Sequence, residues 1–204
     1  MIKPARNIFI STFFERYISF ILSRDFQKIN VNSIEVSRDK SVLLLANHYS
    51  WWDGFIAFYI NKKLFKKKAH VMIIETTARK YAFMKYLGAY TVNKGTRDMI
   101  TSLDYTAELL TNPANLVLLF PQGKIYSNFA DSVVFSKGLS RIIEKVTGKF
   151  EIVYAASFTE TLHHKKPTVN VALKKAKALK FEGMEQEYNA FYKEVRDRQS
   201  KIVI

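Results

Sequence analysis

His48 and Asp53 are the residues whose types and spacing suit proton transfer. They lie in the stretch Asn47-His48-Tyr49-Ser50-Trp51-Trp52-Asp53-Gly54. An imidazole can accept the proton of an attacking hydroxyl, and a carboxylate can orient the ring and stabilise the imidazolium that forms. The spacing constrains the backbone. In a continuous helix a five-residue step is about 140° of rotation, and in a strand it places the two side chains on opposite faces. The pair can meet only if the chain turns between them. A strand–loop–helix junction does this. The apolar run Val42-Leu43-Leu44-Leu45-Ala46 reads as a short buried strand, and Phe55 to Ile60 as an apolar helix. Asp53 then falls near the helix start, where the dipole favours a carboxylate. The same residues have a purely structural reading, a His bonded to backbone and an Asp cap. The rest of the chain must decide.

The chain has 204 residues and is 48% hydrophobic, enough for one sizeable core. We divide it into an N-terminal element, residues 1–24, and an α/β domain, residues 25–204. It contains no cysteine, which excludes disulfides, thiolate metal ligands and a thiol nucleophile. No metal site is expected. With 32 basic and 18 acidic residues the net charge is +14. Such a surface attracts polyanions: nucleic acid, anionic lipid or an acidic carrier protein.

In residues 8–22, ten of fifteen positions are large and apolar, with Lys3, Arg6, Arg16 and Arg24 flanking or interrupting them. The segment is too short and too charged to span a bilayer, which takes about 20 mostly apolar residues. It lacks a signal-peptide cleavage site. An amphipathic helix at the membrane interface fits better than a helix packed on the domain, since one core-facing stripe needs fewer apolar residues.

Residues 26–36 alternate in polarity and predict two short strands around Asn32-Ser33. After the His48–Asp53 junction and a helix to about Lys62, the run Lys62-Lys63 and Lys66-Lys67-Lys68 is a solvated turn or a grip for phosphates. His70 to Ile74 reads as a strand, Arg79 to Leu87 as a helix, and Gly88 to Val92 as a strand. Apolar residues at helical spacing mark Arg97 to Leu110. Leu116 to Phe120 is a further buried strand. It ends in Pro121-Gln122-Gly123-Lys124, a tight turn at a strand's carboxyl end, where α/β proteins keep their sites. Gly138 to Val146 predicts a helix, Ile152 to Phe158 and Pro167 to Leu173 a pair of strands, and Glu185 to Ile202 a charged, surface-packed closing helix. The alternation predicts an α/β fold: a central, mostly parallel or mixed sheet flanked by helices.

Four blocks fall at strand ends, in order, and together resemble the glycerolipid acyltransferase family of the lysophosphatidic acid acyltransferase type. Asn47-His48 to Asp53 matches N-H-x-x-x-x-D fully. Gly88 to Lys94 is similar to G-x-x-x-x-x-R, with Lys for Arg. Phe120-Pro121-Gln122-Gly123 is similar to F-P-E-G, with Gln for Glu. Ile152-Val153 resembles the I-V-P-V strand, with Tyr154 for Pro, and Phe135 to Gly138 an F-x-x-G segment. The resemblance covers roughly residues 40–158. It implies transfer of a fatty acyl group from an acyl-thioester, acyl-CoA or acyl carrier protein, to a hydroxyl of a lysophospholipid or related polar-headed lipid. His48 and Asp53 would be catalytic; Lys94, Phe120, Pro121, Gln122, Gly123 and Lys124 would bind substrate. The thioester is a co-substrate and no other cofactor is implied. Without cysteine, direct attack in a ternary complex is the expected route. Backbone N–H groups near Gly123 are candidates for the oxyanion. The implied partners are membrane lipid and the anionic membrane surface, at its cytoplasmic face, with peripheral attachment and no nucleic acid.

The departures bear on the acceptor. Lys is a point charge where Arg is a planar fork. Gln122 keeps hydrogen-bonding capacity but removes a charge, and Lys124-Ile125-Tyr126 lacks the Arg that often follows F-P-E-G in the family. A glycolipid or glycosylated pigment is therefore an alternative acceptor. Two other classes compete: a non-catalytic basic module for membrane or nucleic acid, and a hydrolase that activates water. No RNA-recognition or zinc-finger signature supports nucleic acid, and there is no G-x-S-x-G elbow.

Overall fold

The computed structural model describes residues 1–93, 95, 97–178 and 180–203. Seven strands form one mixed sheet: β1 (Lys28–Val31), β2 (Ser41–Ala46), β3 (Lys68–Ile74), β4 (Ala89–Val92), β5 (Asn115–Leu119), β6 (Phe150–Glu160) and β7 (Thr168–Lys175). Their order is β1-β7-β6-β2-β5-β3-β4. Strands β6, β2, β5, β3 and β4 run parallel. β7 returns antiparallel to β6, and β1 lies parallel to β7.

β2 sits inside the sheet with all six residues buried, as a strand covered on both faces requires. Its side chains alternate between two cores. Leu43 and Leu45 face one, with α4 (Arg97–Leu109), α5 (Gly138–Lys145) and α6 (Met184–Gln199). Val42, Leu44 and Ala46 face the other, with α1 (Ile8–Asp25) and α2 (Asp53–Ile60). The remaining helix, α3 (Glu75–Lys80), follows β3 directly and contributes no buried residue.

Several elements differ from the sequence expectation. Residues 26–36 give one strand, not two, because the Asn32 side chain replaces the ladder: its amide donates to Leu173 O at 3.0 Å and its Oδ1 accepts Leu173 N–H at 2.6 Å. The helix expected from Arg79 to Leu87 is instead the end of α3 and a 3₁₀ segment, Ala82–Leu87. Gly88, with φ 96, ends it, and a Cβ there would come within 2.1 Å of Ala69 O. The closing helix is more than surface-packed. Tyr188, Phe191, Tyr192 and Val195, at helical spacing, all enter the core.

The basic run is partly structural. A π-turn, Asn61–Phe65, ends at Lys66 in a left-handed conformation. The Lys67 ammonium donates to Lys40 O and Pro113 O, each at 2.7 Å, and so ties together the segments that enter β2 and β5.

His70 lies inside β3, 4% exposed, and neither ring nitrogen has a hydrogen-bond partner among the described residues. Burial, with the charge of Arg6 second, lowers its pKa from 6.5 to about 4. Between those values the unfolded chain carries a proton here that the folded chain does not. Stability is therefore lost as pH falls from 6.5 towards 4 and this contribution levels off below. The loss is on the order of 3 kcal/mol. Urea unfolding between about pH 7 and 4.5 is expected to show a smaller acid loss in His70→Leu than in the native chain. Equal losses would assign the acid sensitivity to other groups.

Candidate active site

The loop between β2 and α2 closes the pair that the sequence could only place near each other. The chain leaves β2 at Ala46, turns through residues 47–52, and re-enters helix at Asp53, the first residue of α2. His48 Nδ1 and Asp53 Oδ2 are 2.8 Å apart. The same Oδ2 accepts the backbone N–H of Tyr49 and of Ser50, both at 2.8 Å. The Asp53 side chain is 5% exposed and that of His48 22%. An ionised carboxylate only accepts, so the proton of the contact sits on Nδ1 and the lone pair of the neutral ring is left on Nε2. Ser50 Oγ also accepts Trp52 N–H at 3.1 Å, and this local turn leads the chain into the helix.

The turn after β5 supplies the other wall. Phe120 stacks on the imidazole, with ring centroids 4.1 Å apart and an angle of 16°. Gln122 Oε1 accepts His48 N–H at 2.6 Å. The Tyr126 N–H donates to His48 O at 2.9 Å. Both backbone groups of His48 are thus held by this segment. Within the turn, Gly123 has φ 62 and its N–H donates to Phe120 O at 2.9 Å. A left-handed φ favours glycine because it has no Cβ. Pro121 O accepts Ser136 N–H at 2.9 Å, which joins the turn to the segment before α5.

Of the residues singled out in the sequence, the structure brings together His48, Asp53, Phe120 and Gln122. Pro121 and Gly123 shape the turn beneath them, and Lys124 follows, exposed. Lys94 lies outside the described residues. His163 and His164 lie in the exposed β6–β7 connection, 3.9 Å between ring centroids and tilted by 43°.

Asn47, Ser157, Tyr49 and Thr159 were given no function of their own in the sequence reading. Asn47 is 3% exposed and exchanges two hydrogen bonds with Ser157 of β6: Nδ2 to Ser157 O at 2.9 Å and Ser157 N–H to Oδ1 at 2.8 Å. The Tyr49 hydroxyl bonds Thr159 Oγ1 at 2.8 Å. Burial, and then the charge of Asp53, push the Tyr49 phenol well above its usual pKa, so it stays neutral. The available signal was Asn47 itself, an amide directly after a wholly apolar strand. No periodicity could reveal its partners, which lie more than a hundred residues away.

The site pairs an imidazole with a buried carboxylate at the carboxyl end of a parallel strand, beside the turn that follows a second strand end. That arrangement can deprotonate a hydroxyl next to an electrophilic carbonyl. No match is found among curated proteins. The structure resembles that of the 1-acyl-sn-glycerophosphate (LPA) acyltransferase PlsC from Thermotoga maritima, with a TM-score of 0.65 and 15% identity over 95% of this chain and 80% of that one. At that identity the likeness speaks for the fold. The family model described as Acyltransferase matches residues 28–174, a span that holds both catalytic candidates and the sheet except the last residue of β7. The chain belongs to the acyltransferase family.

Proposed function

We propose that the chain transfers a fatty acyl group from an acyl-thioester, acyl-CoA or acyl carrier protein, to a hydroxyl of a lysophospholipid or related polar-headed lipid. The observation that carries this reading is the 2.8 Å contact from His48 Nδ1 to Asp53 Oδ2, which leaves Nε2 as the base. In this scheme Nε2 takes the acceptor's hydroxyl proton as its oxygen attacks the thioester carbonyl. The tetrahedral intermediate collapses, the carbon–sulfur bond breaks, and the imidazolium returns the proton to the thiolate. Asp53 stabilises the imidazolium in between. The chain has no cysteine to form a thioester intermediate, which favours this direct route. The scheme needs no cofactor beyond the thioester.

We assign the oxyanion to the backbone amides of Lys124 and Ile125. The Gly123 and Tyr126 amides already donate to Phe120 O and His48 O. The Lys124 and Ile125 amides make no hydrogen bond among the described residues. Lys94 and Lys124 suit an anionic part of donor or acceptor. PlsC of T. maritima is named for 1-acyl-sn-glycerophosphate, and this is the first acceptor to test here. A sugar-bearing lysolipid is the alternative, because Lys94 and Gln122 replace the family's Arg and Glu.

We further propose peripheral attachment to an anionic membrane, at its cytoplasmic face, through α1. Among the described residues no helix is long and apolar enough to cross a membrane. α1 has two apolar sides. Ile18, Ile21 and Leu22 are buried, whereas Phe9 is 82% exposed, Phe13 63%, Tyr17 47% and Phe20 59%. The exposed four recur at helical spacing on one stripe. The +14 charge adds attraction to anionic lipid.

His48→Ala and Asp53→Asn are expected to lower transfer by on the order of 10²-fold or more while the proteins stay folded. The check is labelled acyl-CoA and acyl carrier protein with a panel of lysolipids. A folded His48→Ala protein within a few-fold of the native rate would overturn the assignment. A second expectation concerns Gln122. Glu retains an acceptor for the His48 N–H, so Gln122→Glu is expected to keep activity and shift the ratio of phosphate-bearing to sugar-bearing acceptors. Gln122→Leu loses the acceptor and, with it, about 1–3 kcal/mol of stability. An unchanged acceptor ratio in Gln122→Glu would remove Gln122 from acceptor selection. For the membrane, Phe9→Ser with Phe13→Ser in the full chain is expected to weaken sedimentation with anionic vesicles. Deleting residues 1–24 is a poorer test, because it also strips Ile18 and Leu22 from the core. Undiminished sedimentation of the double variant would place the anchor elsewhere.

A further inference from the structure

The segment that follows the turn after β5, residues 126–137, belongs to no helix or strand. It has no ladder of its own, so its backbone groups need partners elsewhere. α6 supplies several of them. Glu185 Oε2 accepts Phe135 N–H at 2.9 Å. Asn189 takes both backbone groups of Val133: Oδ1 accepts its N–H at 2.7 Å, and Nδ2 donates to its O at 2.9 Å. The Tyr192 hydroxyl donates to Ala130 O at 3.0 Å. Glu185, Asn189 and Tyr192 recur at helical spacing and form one stripe of α6.

The same segment holds the site. Tyr126 N–H donates to His48 O at 2.9 Å, and Ser136 N–H to Pro121 O at 2.9 Å. These two bonds bracket the turn from Pro121 to Tyr126, which carries the Lys124 and Ile125 amides assigned to the oxyanion above. The segment is thus bonded to α6 through Ala130, Val133 and Phe135, and to the site through Tyr126 and Ser136.

Burial alone would not require the polar bonds. Val133 is 1% exposed and Phe135 5%, so their side chains already anchor the segment in the core. Apolar contact is non-directional and tolerates sliding, whereas a hydrogen bond fixes distance and angle. Asn189 is also a poor helix former, and alanine would suit α6 better at that position. Its half-buried amide instead makes the paired contact that a neighbouring strand would make. The Arg196–Asp131 ion pair lies further along the helix, but the Asp131 side chain is 89% exposed and such a pair contributes little.

We propose that Asn189 and Glu185 of α6 are positioning residues of the active site. Through Val133 and Phe135 they set where the turn after β5 stands against His48. The proposal rests on the acyltransfer reading above. Neither side chain touches the reacting atoms. What they govern is the placement of the oxyanion amides relative to Nε2, which productive attack requires to within about 0.5 Å.

The test compares Asn189→Ala, Glu185→Ala and Glu185→Gln in the full chain, with Val195→Ala as control. Val195 is buried on the same helix and its side chain makes no hydrogen bond, so its truncation destabilises α6 without freeing the segment. Asn189→Ala and Glu185→Ala are expected to lower kcat for acyl transfer by about tenfold or more, with KM for the thioester and the lysolipid within about threefold of native. Glu185→Gln keeps an acceptor for Phe135 N–H and is expected to restore kcat. Val195→Ala is expected to melt lower but keep the native kcat per folded molecule. A second readout needs no substrate. Hydrogen exchange at the Tyr126 and Ser136 amides is expected to speed up about tenfold in the Asn189→Ala and Glu185→Ala variants and to stay near the native rate in Val195→Ala. Native kcat in the folded Asn189→Ala and Glu185→Ala proteins, or an equal loss in Val195→Ala, would overturn the proposal. So would unchanged exchange at both amides. If Asn189→Ala does not fold, the Glu185 pair decides by the same measurements, since that side chain is half-exposed and its truncation leaves the core intact. If the native chain acylates no lysolipid, the functional reading fails, and the exchange rates still decide whether α6 sets the turn.

Discussion

Asp53 Oδ2 gathers three donors at 2.8 Å: the His48 ring and the backbone amides of Tyr49 and Ser50. Much else depends on this one oxygen. The two amide contacts fold the loop back on the helix start. The ring contact fixes the tautomer. The helix that begins at Asp53 supplies a favourable dipole for the charge. Burial keeps water from competing, at the cost of leaving Oδ1 without a hydrogen-bond partner among the described residues. A buried, incompletely paired carboxylate is costly in a protein interior. On the proposed reading it also suits a neighbour that becomes positively charged, because an imidazolium formed during proton transfer would lie beside an anion that water does not screen.

The sheet order brings the remaining parts to this oxygen. β2 lies between β5 and β6 and runs parallel to both, so three strand ends open on one side. Phe120 and Gln122 come from the β5 end and hold the ring face and backbone of His48. Asn47 joins the β2 end to Ser157 of β6. Consecutive strands joined by hairpins would not assemble this set. Residues separated by over seventy positions meet because the crossovers return β5 and β6 to the direction of β2.

What could be read in the sequence follows from how local each feature is. After their first residues, Ser41 and Asn115, β2 and β5 are uninterrupted apolar runs, and the strand before His48 was legible for that reason. So was the need for a turn between His48 and Asp53, which follows from spacing alone. The role of Gln122 was not. As a substitute for Glu it looked like a lost charge in an acceptor pocket, yet its carbonyl oxygen accepts the His48 amide. Asn32 likewise looked like the turn of a hairpin, but it pairs with Leu173. The charge of α6 concealed the stripe of Tyr188, Phe191, Tyr192 and Val195. In each case a side chain meets a partner distant in sequence, and local pattern carries no record of that meeting.

A base that can activate a lipid hydroxyl can also activate water, so the surroundings of His48 must favour one over the other. Phe120 covers one face of the ring, and the His48 side chain keeps only 22% of its surface exposed. An apolar wall at that face limits the ways water can lie against Nε2 and still hydrogen-bond elsewhere. A lipid acceptor held by its headgroup pays its positioning entropy on binding, before the chemical step. Water gains nothing from a cation placed for a headgroup. On the proposed reading, the preference for transfer over hydrolysis comes from the wall and the headgroup contacts together, and the His48–Asp53 pair serves either nucleophile alike. Specificity would then reside in the turn after β5, and basicity in the loop after β2.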